Sequence, residues 1–190
     1  MSAADLDKNL PYTIAVLCYL YDANDRVLLL HRAQNPNKGM YSPIGGKLKI
    51  DSGEGPHDCA LREIKEETGL VIDRDDLRLI GIVSECAYQL EAHWLIFLFE
   101  VSTPVDPDTL HWADFDEGTL EWKRIDEVAQ LAIPRTDREV MWPLVQSHRD
   151  GFFVVHIDWS ADDEITWTVH ESVKKGTEAR RHEGTKGFAV

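Results

Sequence analysis

Three glutamates, Glu63, Glu66 and Glu67, constrain this chain more than any other feature of its sequence. They sit in a run, Pro56 to Thr68, that reads as a helix. Gly55 suits the N-cap, Pro56 the first helical position, and Gly69 the C-terminal stop. The i, i+3, i+4 spacing places the three carboxylates on one helical face within a turn. They fall in the second half of the helix, where the macrodipole disfavours anions. Like charges so spaced also repel, by roughly 0.2–0.5 kcal/mol per pair. A helix selected for stability alone would not be arranged this way, and a divalent cation would reverse the sign of both effects. The competing reading is a solvated charged face, partly neutralised by Arg62 and Lys65. The flanking residues favour the cation. Gly45-Gly46 supplies backbone that can approach a phosphate or a metal closely, and Glu54 adds a fourth carboxylate just before the helix. Hard Mg²⁺ takes oxygen ligands and bridges carboxylates to substrate phosphates. Ala60, Leu61, Ile64 and Thr68 fall together and are expected to face a core.

Around this helix the pattern alternates between strand and turn signals. Tyr12 to Tyr21 reads as a buried strand, Asp22 to Asp25 as a turn, and Val27 to Leu30 as the returning strand. Ala33 to Gly46 reads as a loop. Leu77 to Tyr88 and His93 to Val101 read as two more strands, and Thr103 to Asp116 as an acidic surface loop. Leu120 to Ile125 reads as a strand, with a short helix from Asp126 to Leu131. Asp137 to Ser147 reads as a further helix in which Pro143 demands a kink or a boundary. Phe152 to Asp158 and Glu164 to His170 suggest a final hairpin. Strands and helices do not alternate regularly, which argues against a Rossmann-type fold and for an α+β architecture, a mixed sheet flanked by helices. The expected organisation is a loose N-terminus over 1–10, one domain over 11–170, and a disordered tail over 171–190.

Composition narrows the function classes. The net charge of −14 argues against general nucleic-acid binding, which calls for cations to displace counterions. It leaves room for a small polyanionic substrate brought in by a metal ion and a few placed cations. No apolar stretch approaches the length of a bilayer span, and the start MSAADLDKNL has no secretion-signal pattern, so a cytoplasmic location and no membrane partner are expected. Cys18, Cys59 and Cys86 form no CxxC pair and read as small buried hydrophobes. No HExxH, Walker A or GxSxG pattern is present. His31 and His93, at the borders of apolar strands, read as structural.

The segment resembles the Nudix box, the signature of the Nudix hydrolases. Glu54 is followed by seven residues and then by Arg62-Glu63-Ile64-Lys65-Glu66-Glu67-Thr68-Gly69-Leu70, matching every specified position. One departure is that seven residues, not five, separate Gly46 from Glu54. Lengthening such a loop costs only a fraction of a kcal/mol, since even doubling it costs ~0.6, and the helical spacing is untouched. The resemblance implies an α/β/α sandwich and Mg²⁺-dependent hydrolysis of a diphosphate linkage in a nucleotide, with Mn²⁺ as a substitute. It implies Glu63, Glu66 and Glu67 as metal ligands, with Glu54 nearby and the Gly45 carbonyl as a further ligand. Arg62 would orient the carboxylates. Arg32 and Lys47 match positions where related enzymes neutralise phosphates. The general base stays open among Glu66, Glu67, Glu85, Glu91 and Glu117, and a homodimer stays open as the assembly.

The approach Lys38 to Lys47 and the segments Glu117 to Trp122 and Pro134 to Pro143 look like those of MutT-type hydrolases of oxidised nucleoside triphosphates. Ser42 and Asp137 would then contact the base, with Tyr41, Trp112 and Trp142 as candidates to stack on it. Tyr88, eighteen residues beyond Leu70, matches a spacing seen in dinucleoside-polyphosphate hydrolases, although an ordinary strand aromatic explains it as well. Alternative readings are hydrolysis of a dinucleoside polyphosphate or ADP-ribose, and a non-catalytic nucleotide sensor.

Overall fold

In chain order the strands are β1 (Tyr12–Tyr19), β2 (Arg26–Arg32), β3 (Tyr41–Ser42), β4 (Leu77–Tyr88), β5 (Ala92–Val101), β6 (Asp114–Phe115), β7 (Gly118–Arg124), β8 (Phe152–Ala161), β9 (Glu164–Val173) and β10 (Arg180–Arg181). Two α-helices accompany them, α1 (Pro56–Thr68) and α2 (Trp142–Ser147). The computed structural model describes residues 10–35, 37–89, 91–111, 114–161, 164–174 and 180–181.

The alternation of side chains along a strand feeds two cores at once. From β1, Val16 and Cys18 enter one core while Leu17 and Tyr19 enter the other. On β5, Phe97, Phe99 and Val101 join the first, Ile96 and Leu98 the second. α1 closes the first core with Cys59, Ala60 and Ile64. α2 closes the second with Trp142 and Val145. The result is a sheet with a helix on each face, as the sequence implied. Each core is stabilised mainly by the apolar area it removes from water.

The mixed sheet has the order β1-β5-β4-β8-β9-β10. β1 is parallel to β5 and β4 to β8, and the other pairs are antiparallel. A second, antiparallel sheet has the order β3-β2-β7-β6, which the sequence reading did not separate from the first. Asp22 explains part of this. Its carboxylate accepts from the Asn24 and Arg26 backbone N–H groups and from the Arg26 guanidinium, closing a tight turn that sends β2 toward β7.

Four local expectations change. Thr103 to Asp116 is not wholly loop, because it holds a 3₁₀ turn at Pro107–Thr109 and the short β6. Asp126 to Leu131 forms only a 3₁₀ turn, Val128–Gln130. The segment before Pro143 is a π-helical turn, Asp137–Met141, with the Trp142 N–H donating to the Asp137 carbonyl. That wider ring lets Pro143, which has no N–H, sit in the first turn of α2. The hairpin also runs past His170 to Val173, and Arg180–Arg181 pairs with β9, so part of the expected tail is strand. Residues 1–9, 175–179 and 182–190 lie outside the described residues, as does Trp112.

β4 carries a bulge that sets up the site. Glu85 pairs with Trp94 but Tyr88 pairs with Ala92, so one extra residue stands on β4. Ala87 takes a φ of 56° within it. The insertion reverses the alternation, so Glu85 and Tyr88 line one cleft, although a regular strand would put them on opposite faces.

β8 is fastened to β4 by packing as well as pairing. Gly81 on β4 leaves room for Phe153, whose ring would lie 2.7 Å from any Cβ at that position. Phe153 is fully buried. Phe153→Ala is expected to destabilise the fold by ~3–5 kcal/mol, read from urea unfolding. A loss below ~1 kcal/mol would mean that the hairpin contributes little to the core.

Candidate active site

The double glycine lies along the edge of β1. The Val16 N–H donates to the Gly46 carbonyl at 2.9 Å and the Cys18 N–H to the Ile44 carbonyl at 2.7 Å. A Cβ on Gly45 would stand 2.1 Å from the Val16 carbonyl oxygen, and one on Gly46 would stand 2.3 Å from Glu63 Oε1. Gly45 therefore has no room for a side chain against the β1 backbone, while the space beside Gly46 is filled by the Glu63 carboxylate. The lengthened loop closes through a 3₁₀ turn at Ile50–Ser52. The Lys49 N–H then donates to Glu54 Oε2 at 2.8 Å, so the insertion still delivers Glu54 to the helix.

Arg62 gathers three of the four carboxylates. Its guanidinium donates to Glu54 at 2.7 and 2.8 Å, to Glu63 at 2.6 Å and to Glu66 at 2.9 Å. Those bonds from Arg62 are the main reason that the Glu54 carboxyl is pulled down to about 2, against the opposing effect of burial. Among the described residues, no three His, Cys, Asp or Glu side chains are already gathered into a metal cage. Glu54, Glu63 and Glu66 converge on the guanidinium instead.

Glu67 shares the helix with Glu63 and Glu66, but it is 3 % exposed, so the three do not form one solvated face. Its position follows from helical spacing. It stands three residues beyond Ile64 and seven beyond Ala60, on the stripe that packs into the core. Burial pushes its carboxyl up to about 8, and the charges of Glu117 and Glu63 add to this. The Gly45 backbone N–H and Arg32 act in the opposite sense. Glu63 is also raised, chiefly by burial, with Arg62 opposing and Glu66 and Glu117 adding.

This donor set fits a hard divalent cation. All the groups are oxygens, and the Gly46 cradle fits the Glu63 carboxylate. The strained ionisation of Glu63 and Glu67 is what an added positive charge would relieve.

A cleft of about 440 Å³ opens beside these groups. Arg32, Ser42, Gly45, Lys47, Glu63 and Asp137, all expected at the site, line it together. Of the open general-base candidates, Glu85 and Glu117 also line it, whereas Glu91 is exposed on the β4–β5 turn and does not. Glu54, Arg62, Glu66 and Glu67, also expected at the site, are not among its lining residues, although Arg62 is hydrogen-bonded to Glu63, which is. Two expected stacking residues are elsewhere. Trp142 is buried in the core beside Tyr19, and Tyr41 stacks on His31 at 4.6 Å and donates to Glu121. Trp94 is an aromatic that does line the cleft, with Lys47 Nζ 5.6 Å from its ring centre. Its alternation with Ile96 and Leu98 along β5 could have revealed it. Tyr88 also lines the cleft and donates to Asn37 Oδ1 at 2.8 Å.

Within the lining, Ser42 Oγ and Asp137 Oδ1 are buried with no hydrogen-bond partner among the described residues. Burial pushes the Asp137 carboxyl up to about 8, and the Glu85 charge adds to it. Glu85 is raised by burial to about 6, with Trp159 and Thr136 hydrogen bonds holding it lower than burial alone would.

The NUDIX domain model matches residues 11–145. A MutT protein of Bacillus halodurans shares the fold with a TM-score of 0.65 and 27 % identity, over 83 % of this chain and 97 % of that one. An uncharacterized Nudix hydrolase of Bacillus subtilis (strain 168), YvcI, is 27 % identical over 119 residues, 62 % of this chain and 70 % of that protein. The NAD-capped RNA hydrolase NudC of Mycobacterium tuberculosis (strain ATCC 25618 / H37Rv) is 37 % identical over 67 residues, 35 % of this chain and 20 % of that protein. The chain belongs to the Nudix family and is a hydrolase of that family, whose members generally use divalent metal ions.

Because its folded value lies above the ordinary 4.5, Glu67 contributes most to stability when protonated. That contribution is intact below the ordinary carboxylate range and is lost as pH rises through about 8. Metal-free wild type is therefore expected to lose stability between about pH 5 and pH 9 relative to Glu67→Gln. At the alkaline end the variant should melt higher, at ~2–4 °C per kcal/mol relieved. Thermal melts in chelator check this, and a variant that melts lower at every pH would make Glu67 a structural acceptor.

Proposed function

We propose that this chain is a Mg²⁺-dependent pyrophosphohydrolase of nucleoside triphosphates, releasing a monophosphate and pyrophosphate, with an oxidised purine nucleotide as the favoured substrate. The observation that carries this reading is a single cleft. Its lining brings together Glu63 and the double glycine, the cations Arg32 and Lys47, and the unsatisfied Ser42 and Asp137. A triphosphate and its base need all three environments.

Glu63, Glu66 and Glu67, with the Gly45 carbonyl, would hold the metal, which when bound polarises a phosphoryl oxygen toward attack by water. Arg62 keeps Glu63 and Glu66 oriented through charge-assisted hydrogen bonds. Arg32 and Lys47 offset phosphate charge in a chain that is otherwise acidic. Glu117 and Glu85, which both line the cleft, are the candidates to take the proton of the attacking water. Trp94 offers a face on which a base can stack. With its value near 8, Asp137 meets the base at neutral pH chiefly as a carboxylic acid. It can accept at one oxygen and donate at the other. An oxidised purine carries an N7 proton that ordinary guanine lacks, and its neighbouring carbonyl matches the acid's donor. A polar site of this kind rejects an analogue lacking its partner far better than an apolar pocket does.

Two measurements test this reading. Glu66→Gln and Glu67→Gln should each lower kcat at least ~100-fold, the factor expected from losing ~3 kcal/mol of metal-borne stabilisation. Full specific activity in both variants would make these carboxylates structural. A comparison of kcat/KM for 8-oxo-dGTP, dGTP, ADP-ribose, diadenosine tetraphosphate and NAD-capped RNA should favour 8-oxo-dGTP. A preference for any of the last three would overturn the substrate while keeping the hydrolase. Ligand-induced thermal shifts with no turnover of any compound would identify a sensor.

A further inference from the structure

The hairpin of β8 and β9 lies beyond the residues matched by the family model, yet it reaches the cleft wall. Trp159 on β8 donates its indole N–H to Glu85 Oε1 at 2.6 Å. Its ring meets Tyr88 edge-on, with centroids 5.5 Å apart and planes at 89°. Both partners line the cleft, and both belong to the bulged stretch of β4. One side chain thus fixes two residues of the wall, one by a hydrogen bond and one by ring contact.

A bulge is where the pleat determines side-chain direction least, so an external support matters most there. Glu85 needs such support for a second reason. It is 3 % exposed, and a buried carboxylate is costly unless hydrogen-bonded. Trp159 from β8 and Thr136 at the head of the π turn supply the bonds. The other groups facing this pair are few. Asp137 stands beside Glu85, Tyr88 lies near both acids, and Tyr19 of β1 faces Asp137. Arg32, Lys47, Glu63 and Glu117 line the same cleft.

We propose that Trp159 is a positioning residue for substrate selection: it holds Glu85 as a hydrogen-bond acceptor at the cleft wall, and that carboxylate selects a nucleobase edge that presents adjacent N–H donors. The proposal rests on the reading that the cleft takes a nucleotide. A guanine-type edge, with a ring N–H next to an amino group, has that chemistry. An adenine edge, with one amino group beside a ring acceptor, does not satisfy the carboxylate twice.

The test is calorimetric titration of the full chain with GMP, AMP and ribose 5-phosphate, without metal and without turnover. Wild type should bind GMP more tightly than AMP. Trp159→Phe, which keeps a ring and removes the N–H, should weaken GMP by about tenfold, the loss expected for one charge-assisted hydrogen bond, and should leave ribose 5-phosphate unchanged. The pH dependence separates positioning from packing. Glu85 titrates near 6, so GMP binding should weaken below that pH. Trp159 holds the value down, so Trp159→Phe should move this acid limb to higher pH, and Glu85→Gln should abolish it. If Trp159→Phe does not fold, Glu85→Gln, nearly equal in size, carries the test alone. An acid limb that stays in place in Trp159→Phe, or persists in Glu85→Gln, overturns the proposal, as does equal binding of GMP and AMP. Since no turnover is measured, these outcomes are independent of whether the chain hydrolyses a diphosphate.

Discussion

The Arg62 guanidinium is the interaction on which the site depends. It binds Glu54, Glu63 and Glu66 at once, from three different directions. Only a planar, multidentate cation can do this, and a lysine in its place would reach one or two of them as a point charge. The arrangement also ties the loop before the helix to the helix itself, because Glu54 accepts from both Arg62 and the Lys49 backbone. Glu67 is not among the carboxylates that accept these bonds from Arg62. It faces inward from the same helix and depends on the Gly45 backbone and Arg32 for relief. On this helix Glu63 and Glu66 therefore accept from Arg62, while Glu67 is held near protonation by burial.

That division matters in a chain of net charge −14. Such a surface repels a polyphosphate at long range, and attraction must come from local cations. Arg32 and Lys47 stand on the cleft wall, and Lys47 also lies over Trp94. A cation and an aromatic face of the cleft are thus one residue pair. Their coupling follows from the pairing of the Gly45–Lys47 segment with β1, since Ala15 bridges Lys47 directly.

Much of this was legible in the sequence because it depends on local spacing. The caps of α1, the glutamate triplet and the double glycine are fixed by neighbours within a few residues, and the structure brings Arg32, Ser42, Gly45, Lys47, Glu63 and Asp137 to the lining of one cleft. The failures have different causes. The burial of Glu67 was not read, because its charge was weighed above its place on the Ala60–Ile64 stripe. Trp142 was taken for a stacking residue because an aromatic near a functional segment does not reveal which way its turn faces. The π turn at Asp137 could not be read, since nothing in the local composition distinguishes it from an α-helix kinked by Pro143. The β4 bulge was equally hidden. A single extra residue changes which face Tyr88 occupies, and only the register against β5 records it.

The parallel pairing of β4 with β8 also has a temporal consequence. Gly81 meets Phe153 and Glu85 meets Trp159, the latter across 74 residues. Contacts so distant in sequence form late, because a long loop must close before they return any free energy. During synthesis, the glutamate helix and the double glycine emerge well before Trp159. A nascent chain can thus assemble its carboxylate helix while one wall of the cleft is still missing, and the selective surface is completed last.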